Sequence, residues 1–429
     1  MNVCILSSEG TGNNIPVRRA GVTAEINMGI VDNTHPKLRY LTEPATRAVL
    51  VKFLSLSPKR VLMWYDDGRN GIFEGKLALG QTTTTNSYEG HVFYFTLEHE
   101  NSGSFFAGRS SDKGREIHRV RIRKEQTLYI IEDKENSPPS SIRNQAEKEI
   151  QFTSQYLAKT GIQWRHFFGN EGPRPPPSLY MWPADQIGVI HKVVSPEGYW
   201  TCKDEAKDCQ SEEKVELELE CVSTEPRVFV IKNLFSDFEV DWIIDIAKPR
   251  LAGSQVGGAE SGILKSDTRT STNTWLGRGK NQITETLYMR AADLLQIDEQ
   301  NLRPNKAAED IQVVHYSVGQ KYDAHHDWGV SGYQESRYIT LLIYLNDMVD
   351  DESGGETSFP KAKVSDFNND HRQGFKIHPG KGNAVLFYNL LPDGNGDDLA
   401  LHAALPVKKG EKWLANFWVW DPHKSANKY

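Results

Sequence analysis

His325, Asp327, His402 and Lys412 are the residues of this chain whose types and spacing speak most directly of chemistry. They stand in KYDAHHDWGV (321–330) and LHAALPVKKGEKW (401–413). Two imidazoles and one carboxylate can hold non-haem Fe(II) from one side, leaving the opposite positions open for a co-substrate and O2. Lys412 follows His402 by ten residues and can grip the far carboxylate of such a co-substrate. Charge favours the set. Fe(II), Asp327, a dicarboxylate keto acid and Lys412 together are neutral, whereas a buried dianion without the lysine would be costly. An H-x-D pair alone arises easily by chance; the four residues together point to oxygen chemistry at a metal.

Particular elements must place these groups. Residues i and i+2 of a strand share a face, so a strand through 325–327 would aim His325 and Asp327 at one metal and turn His326 away. His402 comes 75 residues after Asp327, which leaves room for a strand, a loop and a return strand. Ser236 and Glu239 form a capping box ahead of a helix through Ile246. Residues 281–297 read as a second amphipathic helix, with Ile283, Leu287, Ala291, Leu294 and Leu295 on one side. The Gly/Ser-rich stretch AGSQVGGAESG (252–262) reads either as a substrate lid or as a plain connector.

Upstream the text is different. Residues 1–47 are polar with little periodicity, and 48–133 read as short strands separated by turn residues. DKENSPPSS (133–141) and GNEGPRPPPS (169–178) are linkers by composition, with a polar helix at 142–159 between them. A lead-in segment occupies 179–222. The basic stretch REIHRVRIRK (115–124) alternates, as a strand with one wet face would.

In the C-terminal part the residues resemble the prolyl 4-hydroxylase branch of the Fe(II)/2-oxoglutarate dioxygenases, over about 223–423. PRVFVIKNLFSDFEVDWII, RTSTNTWL, YSVGQKYDAHHD, RYITLLIYLND, GGETSFP, PGKGNAVLFYNL and HAALPVKKGEKW occur in the family's order. The resemblance implies that His325, Asp327 and His402 bind iron and that Lys412 pairs with the C5 carboxylate of 2-oxoglutarate. It implies co-substrate hydrogen bonds from Tyr316 and Thr340. Tyr322, taken as a catalytic-site residue, is expected with Arg269, Ser271 and Trp418 in the groove around the target proline. Leu405 stands where many relatives carry cysteine and His326 where an aromatic residue is usual. The implied activity is of the procollagen-proline 4-dioxygenase type: Fe(2+), 2-oxoglutarate and O2 as cofactors, L-ascorbate to restore oxidised iron, and a proline-containing peptide as partner. The implied fold is α+β, mainly β: a double-stranded β-helix (jelly-roll) with supporting helices, preceded by a small β-sandwich.

That smaller module resembles the β-domain of the von Hippel–Lindau protein, through VKFLSLSPKRVLMWYDDG (51–68) and NSYEGHVFYF (86–95). By that resemblance Ser87 and His91 would hydrogen-bond the hydroxyl of hydroxyproline, with Phe93 as an aromatic wall. Phe73 stands near a tyrosine of that pocket and lacks its hydroxyl. A module used only for structure or docking is the competing reading.

Composition bounds the rest. At 429 residues, 38% hydrophobic and 25% charged, the chain suits two or three ordinary soluble domains. A net charge of −7 makes no case for nucleic acid or a membrane surface. MNVCILSSEGTGNN lacks a charged segment followed by a long apolar run, so the reading is a soluble, cytoplasmic chain without a membrane span. The endoplasmic reticulum is the alternative that the family implies if the true N-terminus is missing. Cys202 and Cys209 could pair locally or stay reduced. Three functions compete: peptidyl-proline 4-hydroxylation, the same chemistry on another substrate, and hydroxyproline binding without catalysis.

Overall fold

A computed structural model of the chain describes residues 21–26, 38–40, 49–98, 113–123, 126, 128–165, 173–196, 198–201, 211–254, 268–279, 281–303, 306–329, 336–365 and 371–421. It is mostly β with few helices. The chain divides into two compact units, Thr46–Arg174 and a second made of Met1–Ala45 with Pro175–Tyr429.

In the larger unit, strands Val228–Ile231, Ala384–Tyr388, Arg337–Tyr344, Lys412–Trp420, Ile311–Tyr316 and Thr272–Leu276 are consecutive neighbours in a ten-stranded sheet. Strands Tyr322–His325, His402–Ala404, Thr357–Ser365 and His371–Ile377 are neighbours in a five-stranded one. One apolar core joins the two sheets. Val314, Leu342, Phe387 and Leu414 of the first pack with Phe359, Phe375 and Ile377 of the second. Strand parity then matters. Along Lys412–Trp420, Leu414 faces that core, while Phe417 turns outward to meet the Tyr288 ring at 4.9 Å. Lys412 and Trp418 share the parity of Leu414, so both face inward.

The helices hold the outer layer. Helix Asp237–Ala247 begins with the expected capping box, Ser236 accepting from the Glu239 N–H and Glu239 from the Ser236 N–H. Such a cap contributes about 1 kcal/mol. Glu239 also forms a fully buried bidentate pair with Arg290 of helix Gln282–Leu295, at 2.7 and 2.9 Å. Asn281 caps that second helix by accepting from the Thr284 N–H.

The polar N-terminal segment departs from expectation. Gly21–Ile26 and Leu38–Tyr40 are strands, paired antiparallel with Val189–Val194 and His371–Ile377 of the larger unit. The lead-in at 179–222 likewise supplies strands to the ten-stranded sheet. Pairing across so much chain leaves no local periodicity to read.

In the smaller unit, sheet Thr82–Ser87, Val49–Ser55 and Leu128–Ile131 shares a core with sheet Ile72–Leu77, Val61–Tyr65, Val92–Glu98 and Lys113–Arg121. Helix Ser140–Thr160 covers the outside of the first sheet, with Ala146 and Ile142 against Leu54 and Leu56. It is therefore part of this unit's packing. No helix among the described residues is long and apolar enough to cross a membrane.

Candidate metal centre

His325 ends its strand and lies directly opposite His402 in the antiparallel register. Each ring's Nδ1 meets a carbonyl that can only accept, Asp323 O at 2.8 Å and Ala400 O at 3.1 Å. Nδ1 must therefore carry the proton, which leaves each Nε2 available as a ligand. Asp327 closes the set: its oxygens lie 3.7 Å from each Nε2, and the three ligand atoms all fall within 4.8 Å of one another. Burial and the nearby His402 push the His325 imidazolium down to about 3, so the ring is neutral and able to ligate at neutral pH.

The structure corrects how Asp327 is placed. The strand stops at His325, and Asp327 lies in the bend that follows, not at i+2 of a continuing strand. Its position comes instead from two donors on the large sheet: the Thr340 hydroxyl at 2.7 Å and the Trp418 indole N–H at 2.8 Å, both to Oδ2. Asn389 in turn donates to Thr340 Oγ1 at 2.8 Å. Burial alone would raise the Asp327 carboxyl, but His402, His325, Arg337 and the Thr340 hydroxyl hold it well below the usual carboxylate range. As expected, His326 points elsewhere, with Nε2 3.2 Å from Asp398 O.

The Thr340 hydroxyl, which the resemblance places on the co-substrate, here donates to Asp327 and accepts from Asn389. Trp418, which the resemblance places in the peptide groove, is buried with its indole N–H on the same carboxylate. The Arg337 guanidinium lies 3.7 Å over the Trp418 ring and is itself held by Glu309 at 2.6 and 3.0 Å. Arg337, Glu309 and Asn389 were not singled out from sequence. The available signal was weak: a cation heading the otherwise apolar run RYITLLIY.

Lys412 is fully buried, and among the described residues its Nζ has no hydrogen-bond partner. The rings of Tyr316 and Tyr344 stand on either side of it, each 5.7 Å from Nζ. Burial pushes the ammonium down to about 7, although Glu356 partly restores it. Burial likewise raises Tyr316 to about 12, so its phenol stays neutral and able to donate. A buried cation left unpaired is expensive, and an anion entering from solution would relieve it. A dicarboxylate co-substrate fits this chemistry.

Arg269, Ser271 and Tyr322 come together. Arg269 lies 4.7 Å over the Tyr322 ring and donates to Ser271 Oγ at 3.3 Å, while Tyr322 stacks on His325 at 3.6 Å. Trp275, 45% exposed and 6.1 Å from the Trp418 ring, adds an aromatic surface that no local sequence pattern announces. Most of the 252–262 loop, and the pair Cys202 and Cys209, lie outside the described residues.

In the smaller unit, Ser87 Oγ and His91 Nδ1 are 3.1 Å apart. The rings flanking His91 are Tyr65 at 5.1 Å and Tyr88 at 5.3 Å. Phe93 is not a wall of this pair: it is buried in the core, 5.2 Å from Phe53. Its parity in strand Val92–Glu98 turns it inward.

A His-Asp-His triad on the same fold as a buried, inward-facing lysine suits an Fe(II)/2-oxoglutarate oxygenase, and residues 311–420 match the 2OG-Fe(II) oxygenase superfamily. Probable prolyl 4-hydroxylase 3 of Arabidopsis thaliana is 36% identical over 213 residues, 47% of this chain and 71% of that protein. Probable prolyl 4-hydroxylase 8 of the same plant is 37% identical over 213 residues, covering 47% and 70%. The chain belongs to the prolyl 4-hydroxylase family, whose enzymes use Fe(2+), 2-oxoglutarate and O2. Among solved structures it is similar to the viral collagen prolyl hydroxylase of Paramecium Bursaria Chlorella virus-1, at 28% identity and TM-score 0.34, covering 45% of this chain and 95% of that one.

Proposed function

We propose that the larger unit hydroxylates peptidyl proline at C4, with the metal on His325, Asp327 and His402 and the far carboxylate of 2-oxoglutarate on Lys412. The observation that carries this is the buried Lys412 ammonium, without a hydrogen-bond partner among the described residues, on the inner face of the fold that also holds the triad. Mere binding of a peptide would require neither. We read the two facing sheets as the double-stranded β-helix, whose inner face gathers these groups.

When bound, iron and 2-oxoglutarate supply the oxidising chemistry, releasing succinate and CO2 and delivering one oxygen atom to the substrate. The protein supplies geometry. Asp323 O and Ala400 O fix the histidine tautomers, and Thr340 with Trp418 hold Asp327 as an acceptor-only ligand. Tyr316 and Lys412 orient the co-substrate. Arg269, Ser271 and Tyr322, with Trp275 at the rim, form the surface on which an extended proline-bearing peptide lies.

The test is mass spectrometry of a proline-rich peptide panel incubated with the chain, Fe(II), 2-oxoglutarate and ascorbate. A one-oxygen gain on proline is expected. Succinate without that gain would move the chemistry to another substrate, and neither product would overturn the assignment.

For the smaller unit we propose hydroxyproline reading by Ser87 and His91, favoured by their 3.1 Å contact between two aromatic rings. A site built to bond a hydroxyl rejects the ligand that lacks it, because its polar groups are then left unpaired. Equal binding of proline and hydroxyproline peptides, or unchanged binding by His91→Ala, would refute it.

A further inference from the structure

The chain carries its own candidate substrate. Residues 173–178 read PRPPPS, four prolines in five positions, where the chain passes from the smaller unit back into the larger one. The run belongs to neither helix nor strand, and Pro173, Pro175, Pro176 and Ser178 are exposed. Its conformation follows from its composition. Each proline ring fixes φ near −65° and excludes the helical region for the residue before it, so consecutive prolines adopt an extended polyproline form. With no N–H on three successive residues, the run cannot donate to a sheet edge. Pro175 and Pro176 are therefore open to solvent as in a free proline-rich peptide, with Pro177 half-buried beside them.

The other adjacent pair of prolines, Pro138 and Pro139, is a useful contrast. Pro139 opens helix Ser140–Thr160, and its carbonyl accepts from the N–H groups of Ile142 and Arg143 at 3.1 and 3.2 Å. Drawing it into an active-site groove would undo the first helical turn. The 175–177 run has no such duty.

We infer that the chain hydroxylates itself, at one or more of Pro175, Pro176 and Pro177. The inference rests on the proline-hydroxylating reading above. The step is balanced by that reaction: the proline C4–H bond is broken, and one oxygen atom of O2 becomes the ring hydroxyl, which keeps the hydrogen. The other oxygen enters succinate as 2-oxoglutarate loses CO2. O2 is reduced by four electrons, two from the proline carbon and two from the keto acid.

The experiment uses the full chain with Fe(II), 2-oxoglutarate and ascorbate, in parallel with a synthetic peptide of residues 166–180 and an unrelated proline-rich peptide. Tandem mass spectrometry must place the oxygen on 175–177, because Met181 lies close by and oxidises on its own. The expected result is a one-oxygen gain at 175–177, absent at Pro139 and absent from an Asp327→Ala chain treated identically. Offering that inactive chain to the active one should transfer the mark, since the run is exposed. A hydroxylated external peptide with an unmodified 175–177 run would overturn self-modification and leave the enzyme assignment standing. Oxygen gained equally by the Asp327→Ala chain would overturn it as adventitious oxidation. No gain on any substrate would remove both readings together.

Discussion

Lys52 in the smaller unit and Lys412 in the larger one are both buried lysines on strands, the first under the covering helix and the second facing the inter-sheet core, and they are opposite cases. Lys52 is bound to Glu149 of helix Ser140–Thr160; burial pushes it down to about 8, with that carboxylate working against the shift. Lys412 sits between two tyrosine rings with no hydrogen-bond partner among the described residues, and burial takes it down to about 7. The first is an ion pair that joins a helix to a sheet. The second is a charge that the fold leaves open. Burial and a lowered pKa are therefore shared by a structural cation and a binding cation; what separates them is whether the protein supplies the counter-charge.

The contrast breaks most completely if nothing reacts beside Lys412. Asp327→Ala should abolish turnover while leaving the melting temperature close to that of the parent, and retained succinate production would refute the site. Next in size is Lys52→Met, which leaves Glu149 buried and unpaired and should cost about 3–5 kcal/mol in chemical denaturation, with turnover per folded molecule unchanged. Adding Glu149→Leu should recover most of that loss. An unaltered unfolding midpoint in the single variant would show that the pair carries no structural role.

Lys412→Ala should do the reverse, weakening 2-oxoglutarate by about 2–4 kcal/mol in calorimetric titration with no loss of stability. An unchanged apparent KM for 2-oxoglutarate would remove Lys412 from that role. A smaller effect is expected from Asn389→Ala, which deletes the donor behind Thr340: roughly tenfold weaker Fe(II) binding, with the 2-oxoglutarate affinity of the metal-loaded enzyme little altered. A normal Fe(II) affinity would show that Asp327 needs no support from that direction.

The finest comparison is with pH. The folded value of Lys412, about 7, lies below the ordinary lysine value of 10.5. Between the two, the unfolded chain binds the extra proton, so this group's contribution to stability rises with pH across that window, and Lys412→Met should flatten the rise. Binding of 2-oxoglutarate should weaken as pH climbs through about 7, because the neutral amine must then take up a proton; below it the ammonium is already present. Affinity independent of pH on both sides of that value would refute the open charge.

Local pattern carried a good part of this protein. H-x-D, His402 and Lys412 were legible because ligand chemistry restricts residue type, and the Ser236–Glu239 box because a helix start has to satisfy its own N–H groups. Other features were decided only by distant pairing. The N-terminal strands Gly21–Ile26 and Leu38–Tyr40 join sheets built far along the chain, and no local period announces them. That Thr340 and Trp418 both donate to Asp327 could not be read from sequence, since which acceptor a donor meets depends on register and on where a strand ends. Lys52 and Lys412 look alike as letters on strands. Whether a buried charge is answered within the protein depends on which residues pack against it, and only the tertiary structure, by bringing Glu149 to one lysine and two tyrosine rings to the other, could decide that.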